Sequence, residues 1–136
     1  MAFANLLRTI FSGAPKAGEH PFVVVCAHHH DGVSPEEGFA LRELINSYRP
    51  TEWRFLNPGS FVVLYENSSH TARAKADALV ASLQAFGQPP VLGVGIAEGS
   101  LFAEFSADGR LNSWPIGGAI NTATLAARSG APEKAL

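Results

Sequence analysis

The chain has 136 residues, 46% hydrophobic and 16% charged with a formal net charge of -2, which fits one domain with an ordinary core and room for one active site. Its ten Lys and Arg form no basic run, which excludes the electrostatic footprint of a nucleic-acid binder. The single cysteine, Cys26, allows no disulfide within the chain and suits a reducing, cytoplasmic setting, and no apolar stretch approaches the roughly 20 residues of a transmembrane segment.

Phe3, Leu6, Leu7, Ile10 and Phe11 repeat at helical spacing and predict a short docking helix that covers the domain or a partner subunit. Residues 12–21, rich in Gly, Pro and Ala, read as a linker. The expected division is therefore an N-terminal helix and linker over 1–20, the main domain over 21–130, and a disordered tail over 131–136. PFVVVCA reads as a buried strand, bounded by Pro21 before it and HHHDG after it, with Cys26 as a buried thiol. A helix follows, with Ser34 as cap, Pro35 at its first position, Glu37 closing a capping box, and Leu41, Leu44, Ile45 and Tyr48 on one face until Pro50. TEWRFL and FVVLY, joined by the turn residues NPGS, predict an antiparallel hairpin. Ser69 is a candidate cap for a second helix whose inward face carries Ala72, Ala76, Leu79, Val80 and Leu83, closed by Gly87, Pro89 and Pro90. VLGVGIA then reads as a strand that Glu98 and Gly99 turn into LFAEF, Asp108 and Gly109 mark a further turn into RLNSW, and a last helix runs over 118–128 and ends at Gly130.

The fold class expected from this order is α+β: a ferredoxin-like βαββαβ core with a mostly antiparallel sheet, an extra hairpin and a C-terminal helix. Helices on one side would leave the other sheet face uncovered, and a homodimer or a partner protein is the usual way to close it.

GVGIAEG followed further on by WPIGGAINTATLA resembles the second half of the class III nucleotidyl (adenylate/guanylate) cyclase catalytic domain. That family has a Gly-x-Gly-Ile-Ala-x-Gly strand turn and then an Ile-Gly-x-x-Val-Asn-x-Ala-x-Arg-Leu helix start. VVVCAH and NPGSFVVLY occupy the places of its first strand, ending Phe-Ala-Asp-Ile, and of its central hairpin with Gly-Asp at the turn. The resemblance covers most of residues 22–130. Carried over one residue at a time, it puts His28 and Gly59 where the family has its two metal-binding aspartates, and Phe55 and Trp114 where a lysine and an aspartate select the purine. The family's asparagine is kept as Asn121, and its phosphate-stabilising arginine is replaced by Leu125. A hard divalent ion takes carboxylate oxygen, and neither His28 nor Gly59 supplies it. No acidic residue lies between Arg54 and Tyr65, so a shift in the hairpin alignment restores nothing. The resemblance thus implies a degenerate cyclase with no catalytic residues and no cofactor, keeping at most a pocket for a small nucleotide-like ligand at His28, Phe55, Gly59, Trp114 and Asn121. RFLNPGSFVVLYENSS also resembles the diguanylate cyclase domains, whose Gly-Gly-Asp-Glu-Phe hairpin lies where residues 57–61 lie here, and it is degenerate by that measure too.

CAHHHDG keeps a second reading open. If the strand continues, His28 and His30 share a face, with Asp31 or His20 as a third ligand for a transition metal such as zinc; otherwise the loop is a polar rim with one imidazole satisfied by backbone or by Asp31. Phe55 and Trp114 read as core or interface aromatics or as a base-stacking pair. Asp31, Glu36 and Glu37 could imitate a carboxylate pair but fit a solvated helix start, and Ser60, Ser68 and Ser69 are expected to lack the nearby histidine and acid of a nucleophile arrangement. The function expected is a catalytically inactive nucleotidyl-cyclase-like domain, a dimeric interaction or ligand-sensing module in signalling. The alternative is a metal-dependent enzyme acting on nucleotides or phosphates through the His28–Asp31 loop.

Overall fold

The computed structural model describes residues 16–130; the expected N-terminal helix, residues 12–15 of the expected linker, and the tail lie outside them. The apolar run at Phe22 sits in the middle of the sheet. It belongs to β1 (Lys16–His29), which pairs antiparallel with β3 (Ser60–Glu66) on one side and along its whole length with β4 (Leu92–Phe105) on the other. β2 (Glu52–Asn57) pairs with the outer edge of β3, giving the order β2-β3-β1-β4. A strand flanked on both edges and covered on both faces needs apolar side chains in both directions. Accordingly, Phe22, Val23, Val24, Val25, Cys26 and Ala27 are all buried.

α1 (Pro35–Ser47) and α2 (Ala72–Gln84) cover one face. Leu41 and Ile45 of α1, and Ala72, Ala76, Leu79 and Leu83 of α2, meet Val23, Val25, Phe61, Val63 and Tyr65 from the sheet. α1 starts as its sequence dictates: the Glu37 amide donates to Ser34 Oγ at 3.2 Å, the Ser34 amide donates to Glu37 Oε1 at 2.9 Å, and Pro35 follows the cap. The second helix departs from expectation. Thr71, not Ser69, stands at its N-cap, and no side chain caps it; Ser69 instead shares a 2.8 Å hydrogen bond with the Thr71 hydroxyl.

α3 (Gly118–Gly130) covers the opposite face. Ala123 and Ala127 lie against Phe22, Val24, Cys26, Val62 and Leu64, with Leu101 and Ala103 in the same cluster. The face expected to stay uncovered is therefore closed by the chain's own C-terminal helix, and a dimer through it is corrected accordingly. Gly95 makes the contact: a Cβ there would stand 2.3 Å from the Ala123 carbonyl oxygen and 2.7 Å from the Ala127 amide. The helix thus rides directly on strand backbone.

Three other expectations change. β1 begins at Lys16, because residues 16–21 pair with residues 100–105 and so leave the linker for the sheet. Glu98 and Gly99 make no turn; β4 runs straight through them, since β1 supplies a hydrogen-bonding partner beyond Gly99. RLNSW is not a strand, and the extra hairpin is reduced to two bridges, Phe105 with Leu111 and Phe102 with Ile116. The α+β class and the antiparallel βαββαβ order stand. No helix among the described residues is long and apolar enough to cross a membrane.

Candidate functional site

The expected site residues fall in two places. The first is the end of β1, where alternation sends consecutive histidines to opposite faces. His28 lies on the α3 face opposite Ser60, and its Nδ1 is 2.7 Å from Ser60 Oγ. Ser60, expected to lack a histidine neighbour, therefore has one. It is nonetheless buried. His29 turns to the α1 face. Its Nδ1 accepts from the Asp31 amide at 3.1 Å, which leaves Nε2 to carry the proton, 3.4 Å from Glu37 Oε2. His30 is exposed, its ring centroid 6.5 Å from that of His28.

Electrostatics at this end follows from those contacts. Burial first, then the Arg128 guanidinium and the His30 ring, hold His28 below the ordinary imidazole value, so it is a neutral ring near neutral pH. The Ser34 amide holds the Glu37 carboxyl below its usual range and keeps it ionised at the helix start.

Gly59 lies at the β2–β3 turn, pressed against the same strand end. Its carbonyl accepts from the His29 amide at 2.6 Å, and a Cβ on it would stand 2.9 Å from His29 O. The turn thus has no room for an aspartate without moving. The residues present do not fit a two-aspartate ion clamp: one position is an imidazole engaged with a hydroxyl, the other a glycine backed onto main chain. Among the described residues no three His, Cys, Asp or Glu side chains are placed to share one ion, so His28, His30 and Asp31 are not gathered as a metal triad.

The second place is a cleft between β2 and the segment after β4. Phe55 does not belong to it. Phe55 is paired with Phe61 and packs at 5.5 Å from that ring on the α1 side, while Trp114 packs with the α3-face cluster. The two aromatics are on opposite faces of the sheet and form no stacking pair. Arg54, paired with Val62 of the α3-side cluster, is the residue that meets Trp114: its guanidinium carbon is 4.1 Å from the indole centroid. Strand alternation was the available signal, since Arg54 and Phe55 cannot face the same way. Glu52, Trp53, Arg54, Leu111, Asn112, Ser113 and Trp114 line an open cleft of about 270 Å³. Asn121 is exposed on α3, one turn before Leu125, which is 65% exposed. Of the five pocket residues expected, the structure brings His28 and Gly59 together and leaves Phe55 on the other face.

No family model matches the chain, and no curated protein does. Solved structures similar to the chain include adenylyl cyclases. The adenylyl cyclase CyaB from P. aeruginosa is 18% identical over 79% of this chain and 71% of that one, with a TM-score of 0.48. Two structures of a bacterial light-regulated adenylyl cyclase are 10% and 12% identical over 93% and 95% of this chain, each with a TM-score of 0.46. The chain spans 50% and 49% of the length of those two chains.

Proposed function

We propose that the chain is a catalytically inactive nucleotidyl-cyclase-like domain that acts as a dimeric interaction or ligand-sensing module in signalling, the dimer forming through a surface other than the sheet face that α3 covers. The reading rests on the resemblance in GVGIAEG and WPIGGAINTATLA and on what stands where that resemblance puts the ion clamp. The observation that carries it is Gly59, with His29 O 2.9 Å from where its Cβ would be, beside a His28 that is already bonded to Ser60. Without carboxylates there, nothing of this kind gathers divalent ions around a triphosphate, and removal of such electrostatic stabilisation costs orders of magnitude in rate. Leu125, in place of an arginine, adds to the deficit.

The purified chain incubated with ATP or GTP and magnesium or manganese is expected to form no cyclic nucleotide above a protein-free control, and to sediment as a dimer. Cyclic product that grows with protein concentration would reverse the catalytic part. A monomer throughout the micromolar range would reverse the dimeric part.

A further inference from the structure

Arg54 is held in an unusual way for a residue on an edge strand. Its guanidinium lies over Trp114, and among the described residues it has no ion-pair partner. Glu52, two residues away, makes no ion pair with it; its Oε1 accepts from the Trp53 amide at 3.1 Å. Lying 4.1 Å from the indole centroid, the guanidinium has one side covered by the ring and its N–H groups left to hydrogen-bond elsewhere. Those groups have the fork geometry that matches two oxygens of one carboxylate or phosphate group. The opposite wall is positioned independently. Asn112 donates its amide N–H to Glu104 O at 2.9 Å and its side-chain Nδ2 to Glu104 Oε1 at 2.8 Å, so the segment that carries Ser113 and Trp114 is tied to β4. The cleft of about 270 Å³ lies just below the roughly 300–1,000 Å³ typical of small-molecule sites, which restricts an occupant to a small one.

We propose that this cleft binds a small oxyanion, a carboxylate or phosphate group, with Arg54 as its anchor and Trp114 as the platform that orients Arg54. The proposal deepens the ligand-sensing part of the function above and rests on it. Its test fails separately, because binding at Arg54 is read without any turnover of nucleotide.

Trp114 lies against Arg54 in the cleft, so its fluorescence reports on the site, while the Trp53 indole packs with Phe55 and Phe61 on the α1 face and supplies a background. Inorganic phosphate and sodium benzoate are titrated in separate arms against sodium chloride at matched ionic strength. A saturable change with phosphate assigns the site to phosphate groups, and one with benzoate assigns it to carboxylates; either supports the proposal. Arg54→Gln is expected to weaken the binding about tenfold or more, the effect of losing a charged hydrogen-bond partner. Arg54→Lys is expected to weaken it less, because it keeps the charge and loses the fork. Glu52→Gln, which removes a like charge from the cleft wall, is expected to tighten it, and Arg42→Gln on α1 to leave it unchanged. No saturable change in either arm, or equal binding by the Arg54→Gln protein with an unaltered melting curve, would overturn the proposal.

Discussion

Gly59 and His28 govern the end of the sheet through backbone contacts as much as through side chains. An aspartate at 59 would have to displace the His29 carbonyl, which is main chain of the central strand and yields less easily than a side-chain tip. Gly59→Asp is therefore expected to lower stability by about 1–3 kcal/mol, as overpacking does, measured by urea unfolding; an unchanged midpoint would show that the turn relaxes freely. His28 has an acid-side signature. Its folded pKa is depressed below 6.5, so the unfolded chain takes up this proton first, and stability is lost as pH falls through about 6.5 until the folded ring also protonates. His28→Gln, which preserves a partner for Ser60, is expected to lose less stability than the wild type when urea midpoints are compared between about pH 7.5 and pH 5. That positions 28 and 59 carry no carboxylate was legible in the sequence, because residue identity alone decides it. The sequence did not reveal the Ser60 partner of His28 or the Arg54–Trp114 stack. Those depend on which residues the fold brings together from positions more than thirty residues apart in the chain.

At the scale of elements, α3 has the most exacting fit. Gly95 and the alanines of the helix let backbone approach backbone, and Cys26 lies beneath them with its sulfur 3.4 Å from Thr124 Oγ1. Burial pushes the Cys26 thiol up, so the folded chain presents it as an unreactive thiol, and alkylation is expected to proceed only through openings that lift the helix. Gly95→Ala is expected to destabilise the fold by about 1–3 kcal/mol and to speed iodoacetamide labelling of Cys26. Labelling at the wild-type rate would mean that the helix adjusts without loosening. α1 was readable down to its capping box because the relevant contacts span only three residues. β4 was misread as two strands because Gly99 resembles a turn residue until the long β1 is known to lie beside it. The glycine is there because Ala119 of α3 comes close, 3.1 Å from where a Cβ would be.

For the molecule as a whole, the order of elements was legible and the covering of the sheet was not. Alternation and helical periodicity identify which side chains are apolar, but a short alanine-rich helix does not announce which sheet face it will occupy. With α3 in place, the α1 and α2 face and the α3 face are both closed by this chain. Removal of residues 118–136 is expected to expose Phe22, Val24, Val62 and Leu64 together, and to give a protein that binds a hydrophobic dye or aggregates. A monodisperse, dye-free truncated protein would contradict that account.

The 14-residue pairing of β1 with β4 also sets a timetable for a growing chain. The ribosome releases the buried run of β1 well before its second neighbour, which begins at Leu92, so the intervening hairpin and two helices emerge while one flank of that strand is bare. Topologies whose decisive contacts are so distant in the chain collapse into place slowly. Slow elongation through residues 66–92 would prolong that bare interval, and protection by a holding chaperone would matter most during it.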